Sequence, residues 1–173
     1  MNKRSTEEWK DIFDIALTKF KYNPIDGNFY YRKGLKYKKE GDLAGCINSL
    51  GYIVLGVTID KKCIQIHAHR LAWYSEHKEI PYKIDHKDRC RSNNKSTNIR
   101  KCTSSQNAYN SSINVRNTSG VTGVSWDEHS GKWLCLVSLN KKRVCLGIYS
   151  DFEEAKDVVT KFRRENHKEF SSC

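Results

Sequence analysis

The strongest constraint on what this chain can fold into is its punctuation. Runs rich in β-branched and aromatic residues are short, and polar turns cut them apart. Residues 52–59 and 63–67 flank Asp60-Lys61-Lys62. Residues 121–126, 132–139 and 143–149 are separated by His129-Ser130-Gly131 and Asn140-Lys141-Lys142. Strands joined by such short connections pair antiparallel with their neighbours. Helical spacing appears between them. Ser5 and Glu8 form a capping box ahead of Trp9, Ile12, Phe13, Ala16, Leu17 and Phe20. Pro24 and the Asp26-Gly27-Asn28 turn are expected to stop that helix, with residues 29–32 leaving the turn as a strand. A second helix is predicted over 69–77, ended by Pro81, and a third has Phe152, Ala155, Val158, Val159 and Phe162 as its apolar face. The fold class is α+β.

Residues 82–110 have a different texture. Lys83-Ile84-Asp85-His86 reads as a short strand, 87–97 as a polar loop rich in Arg, Ser and Asn, and 98–102 as a return strand. Thr103 with Gln106 makes a further capping box, opening a helix that carries Asn107 and Asn110. The Ser- and Asn-rich stretch after it reads as a linker or hinge. The expected organisation is a first domain over 1–112 with its core at 82–112, a linker at 113–118, a three-stranded sheet packed on one helix at 119–168, and a tail at 169–173.

With 31 Lys and Arg against 20 Asp and Glu, the net charge of +11 favours a polyanionic partner, nucleic acid first. Between Lys83 and Lys101, Asp85 and Asp88 are the only acids. The polar start lacks an apolar signal region, and no stretch reaches the roughly 18 apolar residues of a membrane span. The expectation is an intracellular, cytoplasmic protein with no membrane partner. The 7 cysteines include no C-x-x-C pair, which argues for reduced thiols. Cys63 with His67 and His69, or Cys90 with Cys102, lacks the paired spacing of a zinc site, and no structural zinc is expected.

The residue types at 82–110 suit phosphodiester hydrolysis. That reaction needs a base for the attacking water and positive charge where negative charge develops. Asp85 and His86 are neighbours on an extended segment, so their side chains diverge and can serve opposite sides of one phosphorus. A neutral imidazole, with an ordinary pKa of about 6.5, is a competent base. Mg²⁺ takes oxygen ligands and retains waters, so a carboxylate and an amide carbonyl suffice, for which Asp85 and Asn107 qualify. Asn98 could brace the loop. Taken singly, each of these residues also has a plain reading, as a surface turn or a loop asparagine.

Together, Ile84-Asp85-His86-Lys87-Asp88, Asn93-Asn94, Asn98-Ile99-Arg100 and Gln106-Asn107 resemble the HNH homing endonucleases of phages and group I introns, in particular the nicking type whose motif ends in Asn. His69-Arg70-Leu71-Ala72-Trp73, Asp26-Gly27 and Gly51-Tyr52 also match that family's frame. The resemblance implies a ββα-metal fold with one Mg²⁺ or Mn²⁺ per active site, held by Asp85 and Asn107. It implies His86 as general base and Asn98 as the residue that pins the hairpin and orients the histidine. It also implies double-stranded DNA as substrate, in a phage-infected bacterial host. Arg89-Cys90 replaces the family's usual Gly-Asn, and Ser92 its usual Asp, which bears on loop geometry. Lys87, Arg89, Arg91 and Lys95 are expected to hold phosphates, with Arg70 and Arg100 as further candidates. For His69, phosphate contact and burial both remain open.

A second resemblance covers 119–167. Ser119-Gly120, Gly123-Val124, Gly131-Lys132-Trp133, Leu146-Gly147-Ile148-Tyr149 and Glu153-Glu154-Ala155 look like the ethylene-response-factor type of DNA-binding domain. In that family the sheet enters the major groove, which implies Trp126, Lys132, Trp133 and Arg143 as DNA contacts. Trp133 could equally be a core residue under the helix. Gly147-Ile148-Tyr149 also spells the opening of another nuclease motif, but no Tyr-Ile-Gly partner follows it. The expected function is a divalent-metal-dependent DNA endonuclease, monomeric or dimeric. The rivals are a non-enzymatic DNA-binding regulator on an inactive scaffold and, more distantly, a zinc-stabilised RNA-binding protein.

Overall fold

The structure, a computed structural model, describes residues 4–171. Cys173 and the end of the expected tail lie outside the described residues. Helices and small antiparallel sheets alternate along the chain, which divides into two compact units, Met1–Lys101 and Cys102–Cys173. That division falls upstream of the stretch 113–118.

In the first unit, α1 (Thr6–Lys19) opens on the reciprocal Ser5 and Glu8 capping box and buries Ile12, Phe13 and Ala16. It ends at Lys19, well before Pro24, because Phe20 is already extended and starts β1 (Phe20–Asn23). β1 pairs with β2 (Asn28–Tyr31), Phe20 opposite Tyr31 and Tyr22 opposite Phe29. The alternating aromatics explain the early exit, since an extended ladder buries Phe20 and Phe29 together in the core. β3 (Leu43–Ala44) joins β2, and β4 (Cys46–Ile47) joins the next sheet. At two residues each, these strands leave no periodicity to read.

β5 (Ile53–Ile59) and β6 (Lys62–His67) form the expected hairpin. Its turn is Asp60-Lys61 alone, with φ of 49° and 62°, the left-handed pair that suits the twist of a two-residue hairpin. Lys62 belongs to β6, opposite Ile59. α2 (Ala68–His77) follows directly and ends in the left-handed residue Lys78. Phe13 and Tyr74 lie 5.3 Å apart, and the Tyr74 hydroxyl donates to Asp14 at 3.0 Å, joining α1 to α2. Leu55, Val57, Ile66 and Leu71 complete this core. Ile84 of β7 (Ile84–His86) and Ile99 of β8 (Ile99–Lys101) seat in it, so one face of that hairpin is anchored.

In the second unit, α3 (Ser104–Tyr109) begins at the Thr103 and Gln106 capping box. β9 (Val124–Asp127), β10 (Lys132–Leu139) and β11 (Lys142–Tyr149) form a sheet in the order β11-β10-β9, which packs on α4 (Phe152–His167) through Val124, Cys135, Val137, Ala155 and Val159. The buried stripe of α4 runs Ala155, Val159, Arg163, His167. The apolar pattern ends at Phe162 and misses its polar half. The His167 ring stacks flat on Tyr109 with centroids 3.7 Å apart, and Arg163 donates to the Tyr109 carbonyl at 3.3 Å. The end of the expected linker is built into this unit, since Asn117 donates to the Val121 carbonyl (3.0 Å) and Ser119 to that of Val124 (2.7 Å). Among the described residues no helix is long and apolar enough to cross a membrane.

Candidate active site

Register decides the neighbours of the first candidate. β7 pairs with β8 so that Asp85 faces Arg100 and His86 faces Ile99. Asp85 and His86 are each 6% exposed. The Arg100 guanidinium donates to Asp85 Oδ2 from Nε at 2.9 Å and approaches the same oxygen from Nη2 at 2.8 Å. Arg100, expected to contact phosphate, is therefore buried in an ion pair with the proposed metal ligand. Antiparallel register makes the two contacts one fact: with 86 opposite 99, 85 falls opposite 100.

The loop between these strands is stiffened from within. Asn98 Oδ1 accepts from the Asp88 backbone at 3.1 Å, and its Nδ2 donates to Asp88 Oδ1 (2.9 Å) and the Asn93 carbonyl (2.7 Å). Asn98 thereby ties Asp88 to Asn93 across the loop. Partial burial raises the Asp88 pKa, but hydrogen bonds from Asn93, Asn98 and the Cys90 backbone, with His86 nearby, outweigh it and hold the carboxyl below its ordinary range. Arg89 sits at φ 64°, in the left-handed region, where the resembled family has glycine. The loop keeps the glycine-like conformation without the glycine. Lys87, Arg89, Arg91 and Lys95 are all exposed. Arg91 donates to the Leu50 carbonyl at 2.8 Å and lies over the Tyr52 ring, and Lys87 donates to the Thr97 carbonyl at 2.7 Å.

The His86 Nε2 lies 3.0 Å from Asn94 Oδ1. Nothing in the sequence context of Asn94 marks it as the histidine's partner. It is reached from the other side by the β1–β2 turn. The Tyr22 hydroxyl donates to the Asn94 carbonyl at 2.6 Å, and Ser96 N–H donates to the Pro24 carbonyl at 3.1 Å. Gly27, at φ +79°, packs so closely that a Cβ would come within 2.4 Å of the Lys95 nitrogen and 2.7 Å of the Asn94 carbonyl carbon. Gly27→Ala therefore combines a left-handed penalty with a backbone clash and is expected to cost about 3 kcal/mol in urea unfolding.

Two rings lie against His86, and a third lies against His69. His69 meets it edge-on at 5.3 Å, Tyr52 lies 6.1 Å away, and His67 is 5.3 Å from His69. His69 is thus packed among rings, with its Nδ1 buried and without a hydrogen-bond partner. Burial, aided by His86, His67 and Arg70, lowers its pKa to about 3 from 6.5. Between these values the unfolded chain binds a proton that the folded one refuses, so this contribution to stability is lost as pH falls from 6.5 towards about 3. A pH series of thermal melts is expected to show a shallower loss over that window for His69→Gln. Arg70 donates to the Pro81 carbonyl at 3.2 Å.

In the second unit, Asn107 lies on α3, its Oδ1 at 3.9 Å from the Cys102 thiol. Trp133 packs with the core, 4.8 Å from Phe152, which is the tryptophan-under-helix reading. Trp126, its register partner, is 44% exposed and stands edge-on to it at 5.0 Å. Lys132 and Arg143 are exposed, with Arg143 paired to Ser138 across the sheet.

Among the described residues no group of three or more His, Cys, Asp or Glu side chains is arranged to hold a metal ion. The side-chain oxygens at the hairpin, the Asp85 carboxylate and the Asn94 and Asn98 amides, are of the hard type that divalent cations take. Cys46, Cys63, Cys90, Cys135 and Cys145 are free thiols.

Asp85 and His86 thus stand side by side, both buried, on a hairpin whose loop is braced by Asn98. Residues 67–109 match the HNH endonuclease family, a match that supports a nuclease enzyme. A solved structure concerned with DNA binding and cleavage by the HNH homing endonuclease I-HmuI resembles this chain at 22% identity. The match covers 84% of this chain and 75% of that one, with a TM-score of 0.41. No curated protein matches.

Proposed function

We propose that the protein is a divalent-metal-dependent HNH endonuclease that nicks double-stranded DNA. The observation carrying this reading is the adjacency of Asp85 and His86, both buried on β7, beneath a loop whose Lys87, Arg89, Arg91 and Lys95 face solvent. In this reading His86 takes the proton from the attacking water as its neutral imidazole. The exposed cations hold the phosphates on either side of the scissile one, so binding weakens steeply with salt. Asp85 and Asn107 would hold the metal ion, which supplies positive charge at the leaving oxygen. The ββα arrangement of β7, β8 and α3 is part of the proposal. So is the role of the C-terminal sheet, resembling the ethylene-response-factor domain, in adding affinity for DNA through Lys132, Arg143 and Trp126.

A single centre cuts one strand per encounter, so the protein is expected to convert supercoiled plasmid to open circle with Mg²⁺ or Mn²⁺ and to stop in chelator. A second reading, a non-catalytic DNA-binding regulator, draws on the Asp85–Arg100 ion pair, which already neutralises the carboxylate. Plasmid left intact with every divalent metal, despite tight binding, would establish that reading.

A further inference from the structure

The proposed base sits on a short strand, but what fixes its ring comes from elsewhere. Asn94 is 1% exposed, and its Oδ1 meets His86 Nε2 at 3.0 Å. Its Nδ2 is buried without a hydrogen-bond partner. A fully buried primary amide with an unsatisfied donor is unusual and costs stability, so its persistence calls for an explanation in what the oxygen does. The Asn94 backbone is clamped by the Tyr22 hydroxyl and by the closely packed Gly27. The imidazole also lies against the rings of His69 and Tyr52.

We propose that Asn94 is a positioning residue for His86, its amide oxygen accepting the Nε2–H and holding the ring in the tautomer whose basic nitrogen is Nδ1. An imidazole has one donor and one acceptor nitrogen when neutral, and the partner of one nitrogen decides which is which. The opposite orientation of the Asn94 amide would place its NH₂ against Nε2 and move the ring proton to Nδ1. The two orientations therefore predict opposite tautomers. The N-terminal β1–β2 hairpin becomes part of the machinery through Tyr22 and Gly27, although it carries no reacting group. The role of His86 as base rests on the nuclease reading; the tautomer does not.

The test uses full-length protein labelled with ¹⁵N-histidine, at a pH where His86 is neutral, together with plasmid-nicking kinetics. Wild type is expected to show His86 protonated at Nε2 alone. Asn94→Asp, which keeps an accepting oxygen, should retain that tautomer. Asn94→Ala should give mixed tautomers and lower kcat by about 10–100-fold with little change in KM for DNA. Tyr22→Phe, which loosens the clamp and spares Asn94 itself, should shift both readouts the same way by less, and it carries the test with Asn94→Asp if Asn94→Ala does not fold. A wild-type ring protonated at Nδ1, or Asn94→Ala and Tyr22→Phe with unchanged tautomer and kcat, overturns the proposal. A ring locked at Nε2–H in a protein that leaves plasmid intact upholds the positioning and sinks the nuclease reading instead.

Discussion

His86→Ala is expected to lower the nicking rate by about 10²–10⁴-fold, the contribution of a well-placed general base. DNA affinity should remain close to wild type, because the phosphate-binding cations Lys87, Arg89, Arg91 and Lys95 are exposed loop residues whose charge does not depend on the imidazole. The measurement is single-turnover conversion of supercoiled plasmid beside a gel-shift titration at fixed salt. A rate unchanged within a factor of about two, far below the general-base contribution, would remove His86 from the reaction. A loss of binding to match the loss of rate would make it structural.

Arg100→Met is expected to destabilise the first unit by about 3–5 kcal/mol, the usual result of leaving one partner of a buried ion pair unpaired. The two side chains are 11% and 8% exposed, so solvent cannot replace the missing guanidinium. Combining Arg100→Met with Asp85→Asn should recover much of the loss, since an amide is far cheaper to bury than a carboxylate. A double-mutant cycle followed by urea unfolding measures that coupling. If Arg100→Met costs less than about 1 kcal/mol, the value typical of an exposed pair, then Asp85 is more hydrated than its burial implies. The pair also bears on function, because the carboxylate proposed to hold the metal is already engaged by a cation.

Much of the architecture was legible beforehand because it is written in local rules. The capping boxes at Ser5 and Thr103 declare themselves by spacing, as do the paired strands around 60–61 and 140–141. The candidate residues Asp85, His86, Asn98 and Asn107 follow from chemical type and order along the chain, aided by the resemblance. What escaped depends on partners distant in sequence. Phe20 leaves α1 early because Tyr31 is waiting across a ladder. Arg163 and His167 are buried because Tyr109 covers them, and no apolar pattern could announce two polar residues on a core stripe.

By itself, the sequence determined the succession of helices and short antiparallel strands, the basic character of the chain, and which residue types were available for chemistry. These are properties of spacing and composition, set by backbone geometry and by charge. Only the tertiary structure decided what each of those side chains faces. It set Arg100 against Asp85, and it brought Asn94 to His86 with Tyr22 and Gly27 packed on Asn94. The physical reason is that burial and hydrogen bonding are satisfied by whichever group arrives in space, and arrival is settled by strand register and core packing across tens of residues.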